Sequence, residues 1–542
     1  MRRNNPLPQL VPDRVQKLKA RVDGGLWSQR VDLDVRGTPL LDAFTPIGRA
    51  SRLKYAPVAR GSYFGTSEQT WKHRWCRVRI PSPARRGQVR WLHWQCVGET
   101  TAFIDGQPWA GYDCGHRAWP LPSGAREVWL DVGAYSTGIW GPGYEAPGAH
   151  GVRFDGAHVA VRDDAAWELS CDLDVWIQVM NLCLRDDGWK PDGLVRPPLD
   201  RCSPLVRVLL QGLGDAVDAY DRAAHTPAAA VVVCRQALQK LKARVPAESW
   251  QPAAAVLAQS HLDLVWLWPE SVTRRKAVHT AASMHRLLER YDDFIFSASQ
   301  PAMYRMLEAD APALARTTAR HIAAGRWEAL GAFEVEPDNH LPCGEALARS
   351  LQIGQAKLTQ LTGKPSPVCY LPDVFGYSAC LPQLLALAGV EAFFTTKMSW
   401  SAVTRFPHSS FVWRGADGSE VLAHLQPTGY TGSCELEQLR TNARDFRQAD
   451  VHGEMLYAQG LGDGAGGPTE IMIERVRRMA DLASVPTCRF GRAVDYFARQ
   501  AKVRDRLPVW QGEMYLEYHR GTYTSQAGFK RRFRALERAL QS

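Results

Sequence analysis

The chain has 542 residues, with 66 Lys and Arg against 56 Asp and Glu, a formal charge of +10. The basic excess is scattered, apart from Lys530-Arg531-Arg532-Phe533-Arg534, which reads as the solvated side of a helix, so a nucleic-acid partner is not expected. No run of about 18 apolar residues occurs, so no membrane span is expected, and the 12 cysteines lack any CxxC spacing and read as free thiols of a reducing, cytoplasmic compartment.

In chain order, residues 70–165 read as short alternating strands closed by turn signals such as Asp105-Gly106, the pattern of a sandwich. Residues 170–245 turn helical, with Lys and Arg set between apolar positions. From Pro252 onward, strand-like runs alternate with helical stretches. The runs are 253–258, 294–297, 327–332, 368–371, 392–396 and 455–459, and the helices are 274–291, 314–324 and 345–361. Such alternation predicts a mainly parallel sheet whose functional residues gather at the strand carboxyl ends. The fold expected is multidomain α/β. An N-terminal β-sandwich-like domain occupies 1–165 and a helical connector 166–250. A seven-stranded (β/α) barrel-like catalytic domain covers 251–505, and the start of a helical bundle 506–542. Met1 to Pro8 carries charge without an apolar core and is not read as a signal peptide.

The chemistry-bearing residues follow those runs. His261-Leu262-Asp263 sets an imidazole and a carboxylate on one side of the chain after the first apolar run. Alone, such a pair is commonplace on surfaces. Asp373 follows the run 368–371, where a turn or helix-cap aspartate would be ordinary. Asp463 is the single carboxylate of the glycine-rich stretch Gly460–Gly467, which lacks the Gly-Lys-Ser/Thr ending of a phosphate loop. His519 lies between an aromatic strand and a basic helix. Together they offer two histidines and two aspartates as ligands, with one further carboxylate. That set suits zinc and glycosidic-bond cleavage by two acids.

His261-Leu262-Asp263-Leu264-Val265-Trp266-Leu267-Trp268-Pro269 with Thr273-Arg274-Arg275-Lys276 resembles family-38 glycoside hydrolases, the zinc-dependent α-mannosidases. So do Ser299-Gln300-Pro301, Gly325-Arg326-Trp327-Glu328, Val335-Glu336-Pro337-Asp338, Leu371 to Tyr377 and Trp413 to Gly418. Glu517 to Gln526, and the region 70–120, are similar to the vacuolar and bacterial cytosolic branch. The resemblance implies Zn2+ on His261, Asp263, Asp373 and His519. Asp373 would also be the nucleophile and Asp463 the acid/base. Trp266 and Phe375 would line the sugar subsite, and Glu336 and Asp338 would hold hydroxyls. The implied substrate is an oligosaccharide with terminal α-linked mannose.

The chain departs from the pattern in three places. Gln259-Ser260-His261 replaces a usual His-Ala-His, Ala465 interrupts the glycines, and Thr404 stands where Asn is usual. Family members continue through further helical and β domains. A partner is therefore expected, either a second chain supplying those domains or another copy of this one. Phe529, Phe533, Leu536 and Leu540 would form an unpartnered helix face. Two alternatives stand beside the mannosidase reading: a zinc- and sugar-binding chain with little activity alone, and a zinc-dependent polysaccharide deacetylase.

Overall fold

The computed structural model describes residues 10–42, 44–66, 71–82, 87–136, 151–189, 199–245, 252–464, 466–482 and 485–542. The amino-terminal nine residues, Met1 to Pro8 among them, and Ala465 lie outside that set.

The chain opens on the helix Val11–Gly24, whose buried Val11, Val15, Leu18 and Val22 recur at helical spacing. Two antiparallel sheets come after it. One runs in the order Trp27–Asp32, Val152–Arg162, Trp91–Cys96, Ala118–Pro120, with Ser62–Phe64 added on Val152–Arg162. The other runs Ala56–Pro57, Val35–Gly37, His73–Arg79, Glu127–Ser136, Gly98–Ile104, Gln107–Tyr112. β-Structure therefore begins near residue 27, well before the expected position. Leu92, Trp94 and Phe154 of the first sheet and Val78, Tyr112 and Leu130 of the second belong to one core. That core continues into Ala277, Ala281 and Met284 of the helix Glu270–Arg290, so the sheets are welded to the α/β part of the chain.

Trp94 sits at the centre of this packing, 1% exposed, against Phe154 and with Nε1 donating to Thr100 Oγ1 at 3.0 Å. Trp94→Ala is expected to cost about 3–5 kcal/mol of stability, read as a lower urea midpoint. A loss under about 1 kcal/mol would contradict this packing.

Three helices come next: Asp164–Asp186, Pro204–Arg222 and Pro227–Arg244. The first is capped by the Asp163 carboxylate, which accepts from Ala166 N, and the second by Ser203 Oγ, which accepts from Val206 N. They pack on Ala254, Val256, Met455 and Tyr457. Among the described residues, no helix is long and apolar enough to cross a membrane.

The remaining strands make two sheets. In the first, Trp327–Ala329, Phe296–Ala298, Ala253–Gln259 and Glu454–Gln459 lie parallel, and Cys488–Phe490 also pairs with Ala253–Gln259. In the second, Val368–Tyr370, Ala392–Thr395 and Glu420–Leu425 are parallel. Ser410–Arg414 then returns antiparallel to Glu420–Leu425 and carries Val509–Gln511. Ala255, Leu257 and Ala458 of the first sheet share a core with Val368, Tyr370, Phe394 and Leu422 of the second.

The expected seven-stranded barrel is thereby corrected. Among the described residues two five-stranded sheets face a common interior, and no ladder closes them. The reason lies in what occupies the sheet edges. Beyond Trp327–Ala329 the chain leaves the sheet, and the Glu334 N–H donates to Ser350 O of the helix Gly344–Thr362 instead of to a strand. The Ser410–Arg414 hairpin occupies the other flank. The helix Ala527–Gln541 docks through Glu537, which accepts from Cys343 N, and leaves Phe529, Phe533, Leu536 and Leu540 exposed.

Candidate active site

The parallel strands deliver their side chains to one end, as such sheets do. Ala253–Gln259 leads to His261 and Asp263, Val368–Tyr370 to Asp373, Ala392–Thr395 to Lys397, and Glu454–Gln459 to Asp463. A cavity of about 270 Å³ opens there, lined by His261, Asp263, Gln300, Asp338, Asp373 and Phe375 among others.

His261 is the hub. It is 3% exposed, yet neither ring nitrogen makes a hydrogen bond. Nε2 faces Asp263 Oδ2 at 3.6 Å and Asp373 Oδ2 at 3.5 Å. Nδ1 faces Glu336 Oε2 at 3.3 Å, and the Tyr430 ring lies 4.7 Å from the imidazole. Ligand atoms of His261, Asp263 and Asp463 lie within 4.8 Å of one another. Asp463 Oδ1 accepts a hydrogen bond from Tyr430 Oη at 2.7 Å. Asp373 is paired with the Lys397 ammonium, which is 3% exposed and stacked over Trp400.

These surroundings drive the acids apart. Burial works to raise Asp373, but the close approach of His261, together with the Lys397 ammonium, holds it below the ordinary carboxylate range. Asp463 is pushed above that range, chiefly by burial. Burial outweighs the opposing His261 and Tyr430, and the neighbouring Asp263 and Asp373 add smaller pushes upward. Asp463 also holds φ of +53°, a left-handed conformation costly for a non-glycine residue and typical of functional loops.

The donor set fits a divalent cation. A tetrahedral ion with ligand bonds of about 2.0–2.2 Å separates its ligand atoms by about 3.3–3.6 Å. The two carboxylate oxygens stand about that far from the unbonded His261 Nε2. Glu336 stands 3.3 Å behind Nδ1, the place a carboxylate takes behind a ligating imidazole. His519 stands outside the three-residue cluster. Its ring lies 4.8 Å from Phe375 and 6.0 Å from Trp400, and burial with the Lys397 charge lowers its pKa, which favours the neutral, ligating form.

The other expected contacts fall in different places. Phe375 lines the cavity. Trp266 is 42% exposed, meets Trp268 in a T-shaped contact, and is not among the residues lining the cavity. Asp338 lines the cavity while its Oδ1 accepts from the backbone N–H of His340 and Leu341. Glu336, expected to hold a sugar hydroxyl, lines the cavity, faces His261 and accepts from Ser299 Oγ at 2.9 Å.

Three residues escaped the sequence reading. Gln300 binds Leu262 O and Glu336 N and so staples two site loops together. Tyr430 and Lys397 contact the acids directly. Lys397 carried a signal, a lone cation straight after the apolar run Ala392–Thr395, whereas Tyr430 carried none.

Residues 251–513 match the family model for the glycosyl hydrolases family 38 N-terminal domain. That stretch, just under half of the chain, is therefore similar to the N-terminal domain of the family 38 glycoside hydrolases. The Alpha-mannosidase 2C1 of Homo sapiens is 31% identical over 542 residues, covering 95% of this chain and 49% of that protein. The Alpha-mannosidase 2C1 of Mus musculus is 31% identical over 523 residues, covering 91% and 47%. The Alpha-mannosidase of Saccharomyces cerevisiae is 37% identical over 292 residues, covering 52% and 27%. The chain spans about half the length, or less, of these relatives.

Proposed function

We propose that this chain removes terminal α-linked mannose from oligosaccharides with retention of configuration. The observation that supports it best is the divergence of two acids gathered around His261, Asp373 held low and Asp463 pushed high. Ionised Asp373 is suited to attack the anomeric carbon. Protonated Asp463 is suited to donate to the departing oxygen and then to take a proton from water. Lys397 offsets the negative charge of Asp373. Phe375 would wall the sugar, Trp266 would offer it a face, and Asp338 would hold a hydroxyl. Glu336 takes the role of fixing His261.

His261, Asp263, Asp373 and His519 would hold zinc, which when bound supplies Lewis-acid polarisation of sugar oxygens. Release of nitrophenol from a nitrophenyl α-mannoside tests the activity. Incubation with a chelator is expected to lower that rate more than about tenfold, with Zn2+ restoring it. A rate indifferent to chelation would remove the metal from the reading.

A second reading rests on the exposed face Phe529, Phe533, Leu536 and Leu540. On it the chain binds zinc and sugar, and turns over only with a second chain seated on that face. Mannose binding without nitrophenol release would favour it. The family match does not favour a polysaccharide deacetylase.

A further inference from the structure

Outside the cavity, a dense set of buried charge lies between the antiparallel sheets and the helix Glu270–Arg290. Glu99, Asp113, His116, Lys276 and His279 are each 5% exposed or less. Their hydrogen bonds converge on the loop that carries Asp463. Lys276 Nζ donates to Glu99 Oε2 at 2.7 Å and to Gly464 O at 3.4 Å. Asp113 accepts from His279 Nε2 at 2.8 Å and from His116 Nδ1 at 2.9 Å. His116 Nε2 donates onward to Pro468 O at 3.0 Å.

Both His116 nitrogens therefore act as donors, so the ring is an imidazolium held by Asp113. The loop is shaped to these groups. A Cβ on Gly466 would overlap Asp113 Oδ2, and one on Gly464 would meet the Lys276 side chain. Both glycines have positive φ. Gly464 N donates to His261 O at 3.1 Å, and Leu461 and Gly467 bond each other.

We propose that Glu99–Lys276 and Asp113–His116–His279 are positioning groups for Asp463. Through them the N-terminal sheets serve the reaction by holding the acid/base loop in place. The inference rests on the assignment of Asp463 as acid/base. The physical reason is the strained backbone of Asp463, which persists only where its surroundings over-determine it. Removing one member of a buried, charge-assisted network leaves its partners unsatisfied and frees the loop. A displacement of about 1 Å at a reacting group can cost about 10²-fold in rate.

The test uses Asp113→Asn and Glu99→Gln in the full chain. The kcat/KM ratio is read between a mannobioside, whose leaving group needs a proton, and 2,4-dinitrophenyl α-mannoside, whose leaving group does not. The mannobioside rate is expected to fall about 30- to 100-fold and the dinitrophenyl rate less than about 3-fold. The ratio is taken on one preparation, so partial unfolding cancels. Equal losses on both substrates, or none, would overturn the proposal. Asp463→Ala is run alongside. If that variant is itself unselective, the acid/base assignment fails; if it is selective and the two variants are not, the positioning role alone fails. A turnover-independent measurement accompanies these. Hydrogen exchange of a peptide spanning 460–468 should quicken about tenfold in both variants, and unchanged protection would overturn the proposal.

Discussion

Replacing Asp373 by Asn is expected to lower kcat/KM on a nitrophenyl α-mannoside by about 10⁴-fold or more. The carboxylate is asked to be both nucleophile and cation ligand, and an amide supplies neither charge. The same change strips Lys397 of its buried counterion. Breaking a buried pair from one side costs about 3–5 kcal/mol, because the remaining charge stays desolvated. Here the loss is softened by the Trp400 ring 3.8 Å from Lys397 Nζ, which favours a cation. Lys397→Met added to Asp373→Asn should recover part of the urea midpoint while leaving activity absent. Initial rates and denaturation curves on the three proteins check this. Residual activity above about 1% in Asp373→Asn would contradict the nucleophile assignment.

The second large effect concerns Asp463. In the proposed acid/base role it carries a proton at the moment of bond cleavage, and burial raises its pKa above the ordinary aspartate value. Activity should therefore persist to higher pH than an exposed aspartic acid allows, and should fall as pH rises through the Asp463 pKa. Asp373 must be ionised, and His261 and Lys397 lower its pKa. The acid limb should accordingly appear only as pH falls through that depressed value. The predicted profile of kcat/KM is a bell, with Asp373 on its acid side and Asp463 on its basic side.

Asp463→Ala should erase the basic limb and cost about 10²- to 10⁴-fold on a poor leaving group. Tyr430→Phe gives the finer check. The Tyr430 hydroxyl donates to Asp463 and favours its ionised form. Its removal should shift the basic limb to higher pH. A basic limb unmoved in Tyr430→Phe and retained in Asp463→Ala would assign it to another group.

The residues of this site were far more legible than its shape. His261, Asp263, Asp373 and Asp463 each follow an apolar run that forms a buried parallel strand, and strand carboxyl ends share one face of a sheet. That rule needs only local pattern. Lys397 obeys it as well and was passed over because an isolated lysine carries little chemistry by itself. Glu336 also faces His261, a contact that no local pattern announces. Its role depends on the loop 330–343 folding back beneath His261, a contact between segments some 75 positions apart.

Tyr430 and the buried network at Glu99, Asp113 and His116 were invisible for the same reason. A hydrogen bond from residue 116 to residue 468 leaves no trace in periodicity. The closed barrel failed on long-range pairing too. Alternation of strands and helices predicts a parallel sheet, but ladder closure depends on which edges meet, and here Ser410–Arg414 and the Glu334–Ser350 contact occupy the edges.

By itself, the sequence determined the element types, the strand-end placement of the acids and the family pattern. These depend on neighbours in the chain, and on chemistry that only certain side chains provide. Tertiary structure alone decided that the sheets stay open, that Glu336 faces His261, and that the N-terminal sheets reach the Asp463 loop. Each of those rests on which buried groups find partners once water is excluded, and distant segments settle that only when they pack.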